Sequence, residues 1–289
     1  MKIAIVGSLK FHLECIGFIL EVYKDTENSV DIYLKKGIDK YNLIEYYLEI
    51  FNFNVIYDNF SKDIINNYDK IYKLTSNDYC LDDEKIISIL HLDDEIRRKC
   101  KSQKFLSLTP YIQGDDVEYT FPIYSPILTH HNINKSVVMI GFYNNNSFDD
   151  DTIKFINNNN HYHFHFVVWG SPSYPKLKNI KNVTVMSNVN TNDMNTLIHH
   201  SKFILSKKFI NYDRFSGQLA LSMSYEKPLI IDTKTKNAYK LPGIAFQENY
   251  SELGDLDSIT DENYESIKNE IKCLKNDMLN KNKAILNII

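Results

Sequence analysis

Three observations predict an α/β protein of two Rossmann-like, doubly wound parallel-sheet domains closed by an amphipathic helix at the C-terminal end. Short, near-continuous apolar runs alternate with segments of helical period in both halves of the chain. Several of those runs end in a glycine or a polar loop, the pattern of strands whose carboxyl ends face a ligand crevice. Between the two series lies a stretch punctuated by Pro110, Pro122 and Pro126.

The first series opens with Ile3–Val6, a short strand ending at Gly7-Ser8. Leu13, Ile16, Gly17 and Leu20 then recur on one helical face. Val30–Leu34 reads as a strand, and Leu43, Tyr46, Tyr47 and Ile50 as a second helix. Phe53–Tyr57, Lys70–Leu74 and Lys104–Leu108 complete the strands of this half, and the signal weakens between about Leu81 and Ile127. The second series begins with Val137–Ile140, ending at Gly141. Phe164–Val168 ends at Gly170, and Val183–Met186 is followed by a helix over Met194–Ser201. Phe203–Leu205, a polar loop, a helix over Gly217–Tyr225 and the strand Leu229–Ile231 finish it. Ile267, Ile271, Leu274 and Met278 predict a long terminal amphipathic helix. The expected division is residues 1–130 and 131–289, with a linker near Pro126–Lys135 and the terminal helix in the second domain.

The 289 residues, 43% of them hydrophobic, suffice for two buried cores. A net charge of −4 argues against a nucleic-acid partner, although a local basic patch would still bind phosphates. No apolar run approaches the ~18 residues of a membrane-spanning helix. MKIAIVGS lacks the features of a signal peptide, so a soluble, cytoplasmic chain is expected. Cys15, Cys80, Cys100 and Cys273 are scattered without a C-x-x-C pair, and a reduced chain is expected. The tract Asn157–Asn160 reads as a surface turn.

The densest chemistry lies in Ser201–Asp232. There a strand, a polar loop with Lys207, Lys208, Asp213 and Arg214, and a helix start at Ser216-Gly217 follow one another. Backbone N–H groups at a helix N-terminus, with a cation beside them, suit a phosphate-bearing ligand. A glycine at that point lets the phosphate approach closely. Ser216 equally fits a simple N-cap. His12, after the first strand, is placed to act as a base because imidazole titrates near neutrality; a solvated histidine at a helix start suits the same position. There is no G-x-G-x-x-G, so the nicotinamide dinucleotide fingerprint is absent. His161, His163 and His165 share one strand face, and Asp255-Leu256-Asp257 has the D-x-D form. Both patterns suit solvated surface better than a metal, and no metal is expected.

In order and detail the second half resembles the GT-B family of nucleotide-sugar glycosyltransferases. Val137–Gly141 resembles the strand and glycine turn that open that family's donor domain, and Phe166–Gly170 its next strand. Asn182–Met186 and Met194–Phe203 resemble the elements flanking the nucleobase. Ser222-Met-Ser-Tyr-Glu-Lys-Pro-Leu-Ile-Ile231 resembles the E-A-M-A-x-G-x-P-V-I ending of the donor-phosphate segment. The resemblance spans about residues 136–232; for residues 1–125 it rests on architecture alone. It implies a transferase acting on a nucleotide-diphosphate sugar, with no separate cofactor and no metal, toward a glycan, protein or small-molecule acceptor. Gly141, Phe142, Gly170, Met186, Ser187, Lys207, Lys208, Arg214, Phe215, Ser216 and Gly217 would hold the donor. His12, Asp213 and Arg214 would be the catalytic residues. Retaining members carry two acids around the phosphate helix. Aligning Lys227-Pro228 with the family ending puts the first at Asp213 and the second at Leu221, which is not an acid. The alternatives are therefore a degenerate nucleotide-sugar-binding protein on the same scaffold, or a sugar-nucleotide epimerase.

Overall fold

The computed structural model describes residues 1–7, 13–74, 82–91, 99–100, 103–127, 133–141, 148–168, 174–208 and 215–288. The chain divides into two compact units. The first comprises Met1–Ser125, Asp213–Phe215 and Asn276–Ile289; the second comprises Pro126–Tyr212 and Ser216–Lys275. The sequence reading puts the boundary after residue 130 and the whole terminal helix in the second domain. Here the chain leaves the first unit after Ser125, and the last helix is shared between the units.

The first unit holds a seven-stranded, all-parallel sheet in the order β3-β2-β1-β4-β5-β6-β7. Its strands are β1 (Lys2–Gly7), β2 (Ser29–Leu34), β3 (Asn54–Ile56), β4 (Lys70–Lys73), β5 (Ile86–Leu90), β6 (Lys104–Ser107) and β7 (Val117–Tyr119). Helices α1 (Cys15–Tyr23) and α2 (Leu43–Leu48) lie between the first strands in sequence. Strands β4 and β5 are buried along their whole length, as strands covered on both faces must be. A Cβ on Gly17 of α1 would sit 2.7 Å from the Tyr47 hydroxyl, so only glycine admits that fully buried ring.

The second unit holds a six-stranded, all-parallel sheet in the order β10-β9-β8-β11-β12-β13. Its strands are β8 (Asn134–Gly141), β9 (His163–Val168), β10 (Val183–Ser187), β11 (Ser201–Leu205), β12 (Leu229–Asp232) and β13 (Ile244–Phe246). Its helices are α3 (Asp150–Asn158), α4 (Thr191–His200), α5 (Gly217–Ser224) and α6 (Thr233–Tyr239). The 28-residue α7 (Asp261–Ile288) follows them. Aromatic side chains fill one face of the sheet. Phe148 meets Phe166 edge to face at 4.9 Å, and Phe155 meets Phe164 at 5.8 Å, the geometry that aromatic rings prefer.

Three buried lysines have one explanation. Lys227 Nζ donates to His199 O at the end of α4 (2.7 Å), and Lys275 Nζ to Ser224 O at the end of α5 (2.8 Å). Lys70 Nζ donates to Leu286 O near the end of α7 (2.7 Å). Each ammonium thus meets the negative end of a helix and satisfies a carbonyl that the helix leaves open. Burial still pulls the Lys227 ammonium down to about 8, with the charge of Lys268 adding to the effect.

Several expectations are corrected. Asn157, Asn158 and Asn160 are exposed at the end of α3, as a surface turn requires, but Asn159 is fully buried: its amide donates to Phe155 O and Gly254 O and accepts from Leu256 N. Cys100 is disulfide-bonded, against the reduced chain expected, whereas Cys15 and Cys273 are free thiols. His161 is exposed, whereas His165 is half-buried. Its Nδ1 is buried without a partner, and burial, with His163 beside it, brings the ring down to about 4.

Candidate functional site

In a doubly wound sheet the ligand crevice lies beyond the carboxyl ends of the strands, where the winding reverses. In the second sheet that point falls between β8 and β11. Strand β8 ends at Gly141 with φ of 153°, a conformation that side-chain-bearing residues avoid. A buried residue of α5, Gln218, fastens this place together. Its Oε1 accepts from the Lys207 N–H (3.0 Å), just past β11. Its Nε2 donates to Ile140 O of β8 (2.5 Å) and Leu205 O of β11 (3.4 Å). The first turn of α5 is thereby held at the switch point.

The N-terminus of α5 differs from the others in this unit. Asp149 caps α3 by accepting from Thr152 N, Asn190 caps α4 through Asp193 N, and Asp232 caps α6 through Thr235 N. Ser216 occupies the N-cap position of α5, yet its side chain makes no capping bond, and the first turn has no acid. The plain N-cap reading of Ser216 is therefore not what the structure displays. Ser216 and Gly217 are both half-buried, and a Cβ on Gly217 would meet nothing within 4 Å.

Lys207 is half-buried beside this turn. Lys208 is held elsewhere: its ammonium lies 3.0 Å from Asp149 and 2.8 Å from Asp151, and 4.9 Å from the centre of the Tyr250 ring. Burial alone would raise both carboxyls. Hydrogen bonds from Thr152 to Asp149, and from Ser251 and Tyr250 to Asp151, together with Lys208, hold them below the usual carboxylate range. The N-terminus of α3 is thus already filled by the chain's own anions.

The remaining expected residues are spread around this centre. Met186 and Ser187 close β10, half-buried and exposed respectively, two strands from β8. Phe215 belongs to the first unit, where its N–H donates to His91 O (3.1 Å) and its ring meets Phe121 edge to face at 5.5 Å. Leu221, at the position of the second family acid, is half-buried in α5. His12, Phe142, Gly170, Asp213 and Arg214 lie outside the described residues. Two residues escaped the sequence reading. Gln218 is one, since glutamine carries no signal of burial. His91, just after β5, is the other: its Nε2 lies 3.4 Å from Cys15 Sγ at the start of α1. Burial pushes that thiol well up, with Glu14 adding to it.

Among the described residues, His161, Asp255 and Asp257 form the one group whose ligand atoms could converge on a metal ion. The D-x-D pair and the first of the alternating histidines thus come together. The site is exposed, and Lys135 Nζ already lies 2.5 Å from Asp257 Oδ2. No described helix is long and apolar enough to cross a membrane.

No protein-family model matches the chain, and no curated protein matches it by sequence. Solved structures do match it in fold. The Anabaena protein Alr3699/HepE in complex with UDP-glucose is 10% identical, covers 100% of both chains and has a TM-score of 0.66. AviGT4, a glycosyltransferase involved in avilamycin A biosynthesis, is 8% identical over 99% of this chain and 96% of its own, with a TM-score of 0.59. The UDP-GlcNAc 2-epimerase of Neisseria meningitidis is 12% identical over 99% of both chains, with a TM-score of 0.55. With two all-parallel, doubly wound sheets and a long terminal helix, this chain has the fold of the GT-B proteins.

Proposed function

We propose that this chain is a glycosyltransferase that takes a sugar from a nucleotide-diphosphate sugar. The observation that carries the reading is the N-terminus of α5 at the β8/β11 switch point, without a cap or an acid of its own. Its N–H groups at Ser216 and Gly217 would meet the diphosphate, with Lys207 adding positive charge. In the reaction an acceptor hydroxyl attacks the anomeric carbon. The bond from that carbon to the diphosphate oxygen breaks, and the diphosphate leaves with the electron pair. The α5 dipole and the basic residues would stabilise the charge that grows on it. The acceptor's proton would pass to a base, for which His12 remains the candidate, with Arg214 and Asp213 assisting at the donor. The reading needs no metal and no separate cofactor, and the acceptor is a glycan, protein or small molecule.

Leu221 favours a second reading, in which the scaffold binds the donor without transferring the sugar. A thermal-shift screen of nucleotide sugars, begun with UDP-glucose because the HepE complex contains it, tests the shared part. At 100 times its dissociation constant a ligand adds about 2.7 kcal/mol to the binding state. A shift with a sugar nucleotide supports donor binding, and no shift with any of them ends both readings. Release of nucleoside diphosphate with an acceptor library then separates transfer from binding alone. Conversion of the sugar without an acceptor would instead identify an epimerase.

A further inference from the structure

We infer that Gln218 is a positioning residue for the diphosphate, an inference that rests on the donor-binding reading above. Gln218 is 4% exposed, one residue into α5 after Gly217. A buried amide with no task would cost stability, so its hydrogen-bond partners explain its presence. Those partners are Ile140 O of β8, Leu205 O of β11 and the N–H of Lys207. They belong to the two strands that flank the switch point and to the basic residue beside it. One side chain therefore sets the height of α5 above both strand ends and the direction of the Lys207 backbone. The N–H groups of Ser216 and Gly217 move with the same turn. A methionine would fill the same volume and free the helix to slide; a glutamate would keep the acceptor for Lys207 and lose the donor to both carbonyls.

The inference predicts an effect on phosphate recognition apart from stability. The test measures dissociation constants of ADP, CDP, GDP and UDP, and of the matching nucleosides, for the full chain and for Q218M and Q218E, with melting temperatures alongside. The readout is the gain in affinity from nucleoside to diphosphate. A displacement of the cradle by a fraction of an ångström predicts that Q218M loses about tenfold of that gain while nucleoside binding holds. Q218E should lose more, because its charge opposes the ligand. An unchanged gain in either folded variant overturns the inference and leaves donor binding standing. So does an equal loss for nucleoside and diphosphate, the mark of a structural role alone. If Q218M does not fold, Q218E decides. No diphosphate gain in the unaltered chain removes the donor reading and this inference with it.

Discussion

Helices α3 and α5 both begin above the carboxyl edge of the second sheet, and they treat their first turns in opposite ways. At α3, Asp149 accepts from Thr152 N, Asp151 accepts from the N–H groups of Tyr250 and Ser251, and Lys208 balances the two carboxylates. At α5 the Ser216 side chain makes no capping bond, the first turn carries no acid of its own, and the buried Gln218 ties the helix to the sheet. The first arrangement is that of a finished structural joint. The second, on the proposed reading, would offer the positive end of a helix dipole to an anion from outside. That difference is why the proposed phosphate site is put at α5 and not at α3.

The largest effect is expected when α5 is made to resemble α3. Ser216→Asp should weaken nucleoside diphosphate binding by about a hundredfold, while capping stabilises the fold by ~0.5–1 kcal/mol. Titration calorimetry and denaturant unfolding read the two effects, and a variant that gains stability and keeps its affinity would sink the phosphate assignment. The reverse change, Asp149→Ala, removes the cap of α3 and should cost about 1 kcal/mol without altering ligand affinity.

The same carboxylates set an acid limit. The pKa values of Asp149 and Asp151 are lower in the folded chain than the ordinary value of 3.8. Their stabilisation is therefore complete above that value and is lost as pH falls through the lower folded values. Acid unfolding should be less steep in Asp149→Asn than in the unaltered chain; equal slopes would contradict the pairing seen with Lys208. The smallest expected effect is on ligand binding in Lys208→Met. Because this ammonium already serves Asp149 and Asp151, affinity should fall by less than about threefold, in keeping with a paired rather than a free cation. A loss as large as that of Ser216→Asp would make Lys208 a phosphate ligand after all.

The sequence made the sheets legible where apolar runs end in glycine, as in Val137–Gly141, because strands buried on both faces carry their own signature. Ile86–Leu90 was missed: five apolar-rich residues without a clear flanking helix do not tell strand from helix. The three-residue edge strands β7 and β13 are too short for any period, and α6, with the sequence TKTKNAY, has almost no apolar face. Of the candidate site, the Ser216-Gly217 turn could be read from residue order. The employment of Lys208 could not, since Asp149 lies 59 residues away in the chain. The burial of Gln218 is likewise a tertiary fact, fixed by two strand ends that its own neighbourhood in sequence does not contain.

The lysines that close the ends of α4, α5 and α7 have an experimental use. Lys70, Lys227 and Lys275 are each less than a tenth exposed and hydrogen-bonded through the ammonium. An acylating reagent reaches such an amine only when the surrounding structure opens, so their labelling rates measure local opening, not surface area. Lys227 is the most informative of the three. With its ammonium brought down to about 8, a large share is already the neutral nucleophile in mildly alkaline buffer. Its modification would therefore time the opening of the second unit, read by mass spectrometry at a single lysine.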